Sequence, residues 1–208
     1  PIIGISCGDL NGIGMEVIMK TFNDNQMLEL CTPILFASSK VASYHRKALN
    51  FNDFNYQVIS SLDHIQHRKF CLYNCWQDQV DIELGKNSKE VGAFALKSID
   101  AALEAWKEGK IDALVTAPIN KNNIETPGKT FTGHTGYIGD VVGGEPLMIL
   151  AAADLRVALV TGHIAVSEIA AQLTEELIVK RIKQLHKSLI EDFGIRRPKI
   201  AVLGLNPH

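Results

Sequence analysis

Two histidines each follow a short apolar run of the kind that forms a buried strand. His163 follows the run that ends with Val160-Thr161-Gly162, and His208 follows the run that ends with Leu205-Asn206-Pro207. Because the carboxyl ends of parallel strands lie at one edge of a sheet, the two imidazoles could share a divalent cation. A catalytic metal usually takes three protein donors, and no H-x3-H or H-E-x-x-H pattern supplies a third nearby. On spacing alone, a structural role for His163 and His208, with satisfied hydrogen bonds, is favoured over a metal site.

A loop of small residues presents a third histidine beside a hydroxyl. His134 and Thr135 stand between Gly133 and Gly136, where an imidazole, a hydroxyl and backbone donors could bind a polar substrate. A capping turn with an incidental histidine explains the pattern equally well. Lys121 could contact a phosphate or carboxylate, although isolated loop lysines are usually solvated. The other histidines have polar or helical surroundings that predict surface positions: His45, His64, His67 and His186.

Three glycines stand between the first predicted strand and the first predicted helix: Gly8, Gly12 and Gly14. They are similar to a dinucleotide-binding fingerprint, but Val17 stands where the third glycine of that pattern should be. A tight strand-to-helix turn is the favoured interpretation. An anion at the N-terminus of the following helix remains an alternative.

These loops need a scaffold, and the hydrophobic pattern predicts one. Continuous apolar runs indicate buried strands, at residues 2–6, 33–37, 56–59, 111–116, 155–161 and 199–204. Three-to-four spacing and capping residues indicate helices, at residues 16–22, 39–49, 91–107 and 175–193. Gly109 and Gly194 follow the last two helices, and Thr174 is a candidate N-cap. The alternation predicts a three-layer α/β/α fold with a mostly parallel sheet.

Composition limits the classes of protein that the chain can represent. Its 208 residues are 46% hydrophobic, enough for a substantial core. Lys and Arg number 21 against 23 Asp and Glu, so we expect no nucleic-acid partner. Without a membrane span or a signal-like start, we expect a soluble, cytoplasmic protein. The cysteines fit no disulfide or zinc framework and are expected to be reduced: Cys7, Cys31, Cys71 and Cys75.

Five motifs occur in a fixed order along the whole chain. They are Gly8-Asp9-x-x-Gly12-Ile13-Gly14-x-Glu16, Val115-Thr116-Ala117-Pro118-Ile119-Asn120-Lys121, Gly133-His134-Thr135-x-Tyr137, Leu155-Arg156-Val157-Ala158-Leu159-Val160-Thr161-x-His163 and Gly204-Leu205-Asn206-Pro207-His208. Each motif alone is weak, but chance does not explain five in order. Together they resemble the 4-hydroxythreonine-4-phosphate dehydrogenase family of vitamin B6 biosynthesis.

The resemblance implies a fold, partners and a reaction. The fold would be like that of isocitrate and isopropylmalate dehydrogenases, in a homodimer with the active site between two domains and at the subunit interface. Members use NAD or NADP and a divalent metal of the Zn, Mg or Co type. They oxidise the secondary alcohol of 4-phosphooxy-L-threonine to a ketone. The resulting β-keto acid loses carbon dioxide and leaves 3-amino-2-oxopropyl phosphate.

The resemblance also implies roles for particular residues. His134 and Thr135 would contact the substrate, and His163 and His208 would be two of three metal-binding histidines. Lys121 is a candidate for an anion contact or a proton relay, without a role known in the family.

The chain departs from the family pattern at two positions and in its extent. Met15 replaces the usual proline, and Gly136 replaces an acidic residue near the substrate. The family continues beyond the last motif with the third metal histidine and much of the cofactor site. We therefore expect the chain to be an N-terminal portion, with a first domain at 1–118 and the start of a second at 119–208. We expect this portion to be inactive alone. The alternatives are a dehydrogenase of a phosphorylated threonate-type acid and a non-catalytic module that binds phosphorylated metabolites or metal.

Overall fold

The computed structural model describes residues 1–125, 131 and 133–206. The chain divides into two compact units, Pro1–Gly144 and Glu145–His208. The boundary predicted after residue 118 is not the point at which these units divide, and it stays a prediction for the domains of the longer family members. Within the described residues, no helix combines the length and apolar character needed to cross a membrane.

The first unit is built on a parallel sheet. Its elements are β1 (Ile2–Ser6), α1 (Gly14–Phe22), α2 (Met27–Leu30), β2 (Thr32–Ala37), α3 (Ser39–Ala48), β3 (Gln57–Ile59), β4 (Cys71–Asn74), α4 (Lys89–Lys107), β5 (Ala113–Thr116) and α5 (His134–Val142). The five strands lie in the order β3-β4-β2-β1-β5, and each neighbouring pair is parallel. The predicted α/β class with a mostly parallel sheet is confirmed.

The central strand β2 shows why the fold has three layers. All of its residues are buried, and successive side chains point to opposite faces of the sheet. Leu35 and Ala37 pack in one apolar cluster with residues of α1 and α3. Ile34 and Phe36 pack in a second cluster with Ala102 and Ala105 of α4. The strand therefore carries an uninterrupted apolar run because helices cover both faces.

Helix α4 also fixes the ends of two strands. Ser98 is fully buried in the helix. Its hydroxyl accepts a hydrogen bond from the Cys7 N–H (2.9 Å) and donates one to the Phe36 carbonyl (2.5 Å). The carboxyl ends of β1 and β2 are thus tied to the helix at the edge from which the candidate loops emerge.

The second unit contains β6 (Ile149–Ala152), β7 (Leu155–Ala158), α6 (Val166–Gln172) and α7 (Glu175–Glu191). The hydroxyl of Thr174 accepts from the Leu177 N–H and caps α7, as predicted. The strand predicted at 155–161 is shorter and pairs antiparallel with β6. The strand predicted at 199–204 is wrong: no described residue of this segment is in a strand, because none pairs with a neighbouring strand to form a ladder.

Candidate active site

The candidate site lies where the chain changes direction across the sheet. From β1 the chain proceeds to β2 on one side, and it later returns to place β5 on the other side of β1. Ser6 and Thr116, the last residues of β1 and β5, are register partners. In open parallel sheets, ligands bind outside the carboxyl ends of the strands at such a crossing point. The loops after β1 and β5 therefore line the expected crevice.

These two loops meet main chain to main chain. The Asp9 N–H donates to the Pro118 carbonyl at 2.9 Å. Gly8 has φ +70, and a Cβ there would overlap that same carbonyl and approach the Ala117 side chain to 2.9 Å. Glycine is required here for the close approach as well as for the backbone conformation. The tight-turn interpretation of the glycines is supported at this position.

A histidine behind the first loop holds it from the core side. His45 is 2% exposed, and its Nε2 lies 3.0 Å from the Leu10 carbonyl. Burial lowers the pKa of His45 below its ordinary value, and the bond to Leu10 opposes this shift. The surface position predicted for His45 is therefore wrong, because the residue continues the buried stripe of Val41 and Ala42 on α3.

The segment after β5 is held against the start of α4. Its short 3₁₀ turn (Lys121–Asn123) is capped by the Asn120 side chain, which accepts from the Asn122 N–H at 3.1 Å. A Cβ at Gly92 in the first turns of α4 would overlap the Asn123 carbonyl. Helix and segment are therefore in backbone contact, and this contact sets the height of Lys121 above the sheet.

Lys121 lies against the N-terminus of α5. A Cβ built on Gly133 would be 3.2 Å from Lys121 Cε and 3.3 Å from Lys121 Nζ, and Gly133 has φ +116. The ammonium group therefore lies beside the first N–H groups of a nine-residue helix, which have no intrahelical acceptors. His134 and Thr135 are the first two residues of that helix. The structure thus brings Lys121 beside the pair His134 and Thr135, which the sequence marked in a different motif.

The imidazole of His134 has an unusual environment. The residue is half-buried, and its Nε2 is shielded from solvent with no hydrogen-bond partner among the described residues. Desolvation lowers its pKa, and the nearby positive charge of Lys121 lowers it further. A neutral imidazole beside an ammonium, a hydroxyl and helix N–H groups can bind an anion and still exchange a proton.

Two contacts that the sequence did not indicate fix the orientation of α5. The Tyr137 hydroxyl donates to Asp100 Oδ1 on α4 at 2.5 Å. Burial, followed by this bond and the Asp100 charge, raises the pKa of Tyr137. The Tyr137 ring also packs on Phe131, with centroids 5.7 Å apart. The motif spacing from His134 to Tyr137 is one helical turn, which could have indicated a shared role.

Only one of the two predicted metal ligands lies in the part of the chain that the structure describes. His163 is exposed in the second unit, after β7. His208 lies outside the described residues. Across residues 1–125, 131 and 133–206, no three His, Cys, Asp or Glu side chains are placed to hold a metal ion. These residues do not by themselves form a metal site, so both assignments stay predictions.

Comparison with known proteins identifies relatives for the whole chain. A family model described as the pyridoxal phosphate biosynthetic protein PdxA matches residues 29–208. A 4-hydroxythreonine-4-phosphate dehydrogenase of Bacteroides thetaiotaomicron is 49% identical over 208 residues, covering 99% of this chain and 57% of that protein. A protein of Clostridium botulinum (strain Hall), provisionally named D-threonate 4-phosphate dehydrogenase, is 32% identical and is covered over 63% of its length.

A solved structure shares the fold. The crystal structure of a 4-hydroxythreonine-4-phosphate dehydrogenase from Burkholderia phymatum superposes with a TM-score of 0.87 at 29% identity, covering all of this chain and 63% of that one. The predicted isocitrate and isopropylmalate dehydrogenase-like class is confirmed. The chain spans less than two thirds of the length of these relatives.

Proposed function

Because the chain belongs to the PdxA family, we propose that it is the N-terminal portion of an NAD(P)-dependent 4-hydroxythreonine-4-phosphate dehydrogenase. The complete protein would be a cytoplasmic homodimer with its active site at the subunit interface. It would oxidise the secondary alcohol of 4-phosphooxy-L-threonine, and loss of carbon dioxide would leave 3-amino-2-oxopropyl phosphate.

The observation that supports this proposal best is the grouping of Lys121, His134 and Thr135 at the start of α5. A substrate with a phosphate and a carboxylate needs cationic and N–H donors, and this grouping offers both. Lys121 would pair with one anionic group of the substrate. The Thr135 hydroxyl, which is exposed, would donate to the same end of the substrate.

His134 would act while neutral. Its low pKa keeps the imidazole uncharged near neutral pH, so one ring nitrogen can accept a proton from a substrate N–H or O–H group. The shielded Nε2 has no partner among the described residues, and a substrate group would satisfy it. The cost of leaving this nitrogen without a partner would then favour the bound state.

The cofactor and the metal belong to the same proposal. NAD or NADP would accept the hydride, and exposed Ile13 beside Gly12 and Gly14 is suited to packing on a cofactor ring. His163 and His208 would supply imidazole ligands of the kind that zinc-like ions prefer. When bound, the metal would polarise the substrate hydroxyl as a Lewis acid.

Steady-state kinetics of the full-length protein test the substrate site. We expect reduction of NAD or NADP with 4-phosphooxy-L-threonine, and Lys121→Met should lower kcat/KM about 10- to 100-fold because a charge-assisted contact is lost. Lys20→Met is the matched control, since the partner of Lys20 among the described residues is Glu16, in an exposed ion pair on α1. Equal effects of the two substitutions would contradict the assigned role of Lys121.

The named Clostridium relative and Gly136 favour one alternative substrate. An acidic residue in place of Gly136 is usual in the resembled family, and glycine changes the polarity one residue after Thr135. A phosphorylated threonate carries a hydroxyl in place of the amine and has less need of that negative charge. Side-by-side kcat/KM values for the two phosphorylated acids decide between them. Binding of either acid without turnover by the full-length protein would instead support the non-catalytic module.

A further inference from the structure

Asn11 makes an unusual set of contacts for a residue in a glycine-rich loop. It is 4% exposed. Its Nδ2 donates to the Lys86 carbonyl at 3.0 Å, and its Oδ1 accepts from the Glu83 N–H at 2.9 Å. Its own carbonyl accepts from the Gly85 N–H at 2.8 Å. One buried residue therefore satisfies three main-chain groups that lie more than seventy positions away in sequence.

The contacted residues form a single tight turn. The Lys86 N–H donates to the Glu83 carbonyl at 3.0 Å, and Gly85 has φ +80. This is the pattern of a type II turn, in which Leu84 and Gly85 are the central residues. We call residues 83–86 the docked turn. It belongs to a segment between β4 and α4 that has no regular secondary structure. The side chain and the carbonyl of Asn11 together hold it in place.

The same residue is fixed on its own side as well. The Asn11 N–H donates to Asp9 Oδ1 at 3.0 Å, and the Gly12 N–H donates to the Asp9 carbonyl at 3.0 Å. Asp9 in turn is bonded to Pro118 across the crossing point of the sheet. The docked turn is therefore linked through Asn11 to the loops that follow β1 and β5.

We call the hydrogen bonds from Asn11 to the docked turn the clamp. The two segments that it joins each carry an exposed apolar side chain. Leu84 is 54% exposed in the docked turn, and Ile13, two residues after Asn11, is 62% exposed. The grouping at α5 is polar and cationic, which suits a phosphorylated acid. Flat cofactor rings instead need aliphatic contacts. The docked turn also carries an exposed ion pair of Lys86 with Glu83, and it is its apolar side chain, Leu84, that suits a cofactor ring better than a phosphorylated acid.

We propose that Asn11 is a positioning residue that holds the docked turn as one wall of the dinucleotide crevice, with Leu84 as its ligand-contacting side chain. The assignment of the ligand rests on the proposed function. The clamp itself does not, because it depends only on the hydrogen bonds of Asn11.

Amide hydrogen exchange of the full-length protein without ligand tests the clamp. Asn11→Ala removes the acceptor of the Glu83 N–H but keeps the main-chain bond from the Gly85 N–H, so exchange of the Glu83 N–H should be about tenfold faster or more. Asn55→Ala is the matched control, because Asn55 is exposed and bonds only locally to the Asp53 carbonyl. Unchanged exchange in Asn11→Ala would overturn the clamp.

Binding and kinetics test the wall. Asn11→Ala and Leu84→Ala should each weaken NAD or NADP binding by calorimetry about three- to tenfold, with a matching rise in KM and kcat within about twofold. Leu84→Ala should leave exchange in the docked turn unchanged, which separates loss of contact from loss of order. If neither substitution changes the affinity for NAD or NADP, the docked turn is not a wall of the dinucleotide crevice. If the unsubstituted protein oxidises neither phosphorylated acid but both variants bind the dinucleotide more weakly as stated, the proposed function is refuted and the wall is not.

Discussion

At the scale of single residues, the candidate site depends on one unfavourable environment. His134 is half-buried beside a lysine, and neither condition suits an imidazolium ion. Since the folded pKa lies below the unfolded value of about 6.5, protonation opposes folding. The stability contributed by the neutral ring is complete above that value and is lost as pH falls through the folded pKa.

Titration of His134 by NMR measures this environment directly. We expect its pKa to lie below the ordinary value, and to rise part of the way back in Lys121→Met, because desolvation remains the larger cause. Lys20→Met, which removes an exposed ion pair with Glu16, should leave the titration unchanged, because Lys20 is not among the causes of the low pKa of His134. A pKa of His134 that is the same in Lys121→Met and in the unsubstituted protein would show that the lysine does not act on the ring.

The sequence identified Lys121 and the pair His134 and Thr135 in separate motifs, but it did not show that they lie close together. Lys121, His134 and Thr135 were visible as polar groups in small-residue loops. Their proximity depends on the positive φ of Gly133 and on the path from β5 to α5, which no local pattern encodes. His45 was misassigned because a histidine in a polar helix is usually exposed, and only its spacing from Val41 indicated burial.

At the scale of elements, the approach of α4 to the segment after β5 determines where Lys121 lies. Gly92 is buried and faces the Asn123 main chain, so there is no room for a side chain. Asn123 is also buried, at 3% exposure. This contact works together with the bond between Tyr137 and Asp100, which joins the same helix to α5. Helix α4 is thus the common support of both halves of the candidate substrate site.

Substitution of Gly92 by alanine tests this support. The new Cβ would overlap the Asn123 carbonyl, so either α4 or the 3₁₀ turn must move, and we expect a loss of about 1–3 kcal/mol in the free energy of unfolding. Gly144→Ala is the control, because the nearest atom to its added Cβ is 3.9 Å away. Denaturant titration of both variants measures the difference, and equal midpoints would contradict the close packing.

Elements with strong end signals were predictable, whereas short ones were not. The helix predicted at 91–107 extends over Lys89–Lys107, and Gly109 follows it with φ +69 as expected. Strand β4 was not predicted, because its apolar run at residues 70–73 is short and lies in a segment rich in polar residues. Its place in the sheet is set by pairing with β2 and β3.

At the scale of the whole molecule, the alternation of strands and helices was enough to predict the parallel sheet of the first unit. The second unit was predicted less well. Its only described strands form an antiparallel pair, and Leu203 and Leu205 are 89% and 65% exposed among the described residues. A strand pattern becomes a strand only when another chain segment pairs with it.

The reactivity of the four cysteines measures how well the core excludes solvent. None is in a disulfide, and Cys7 and Cys71 are buried. Burial raises the pKa of Cys7 to about 12, so its thiolate is scarce at neutral pH. In native protein we expect iodoacetamide to label partly exposed Cys31 first and Cys7 last. In guanidinium chloride all four should react at similar rates. Mass spectrometry of timed samples gives the order, and early labelling of Cys7 would contradict a closed core.

The bond between Asp9 N–H and the Pro118 carbonyl has a consequence for divergence among relatives. It joins main-chain atoms only, so the floor of the crevice is independent of most side chains that flank it. Exchanges at neighbouring positions, such as Asn120, can then alter which molecule is accepted without rebuilding the frame. Relatives named for two different phosphorylated acids, at 49% and 32% identity, are what such a frame would permit.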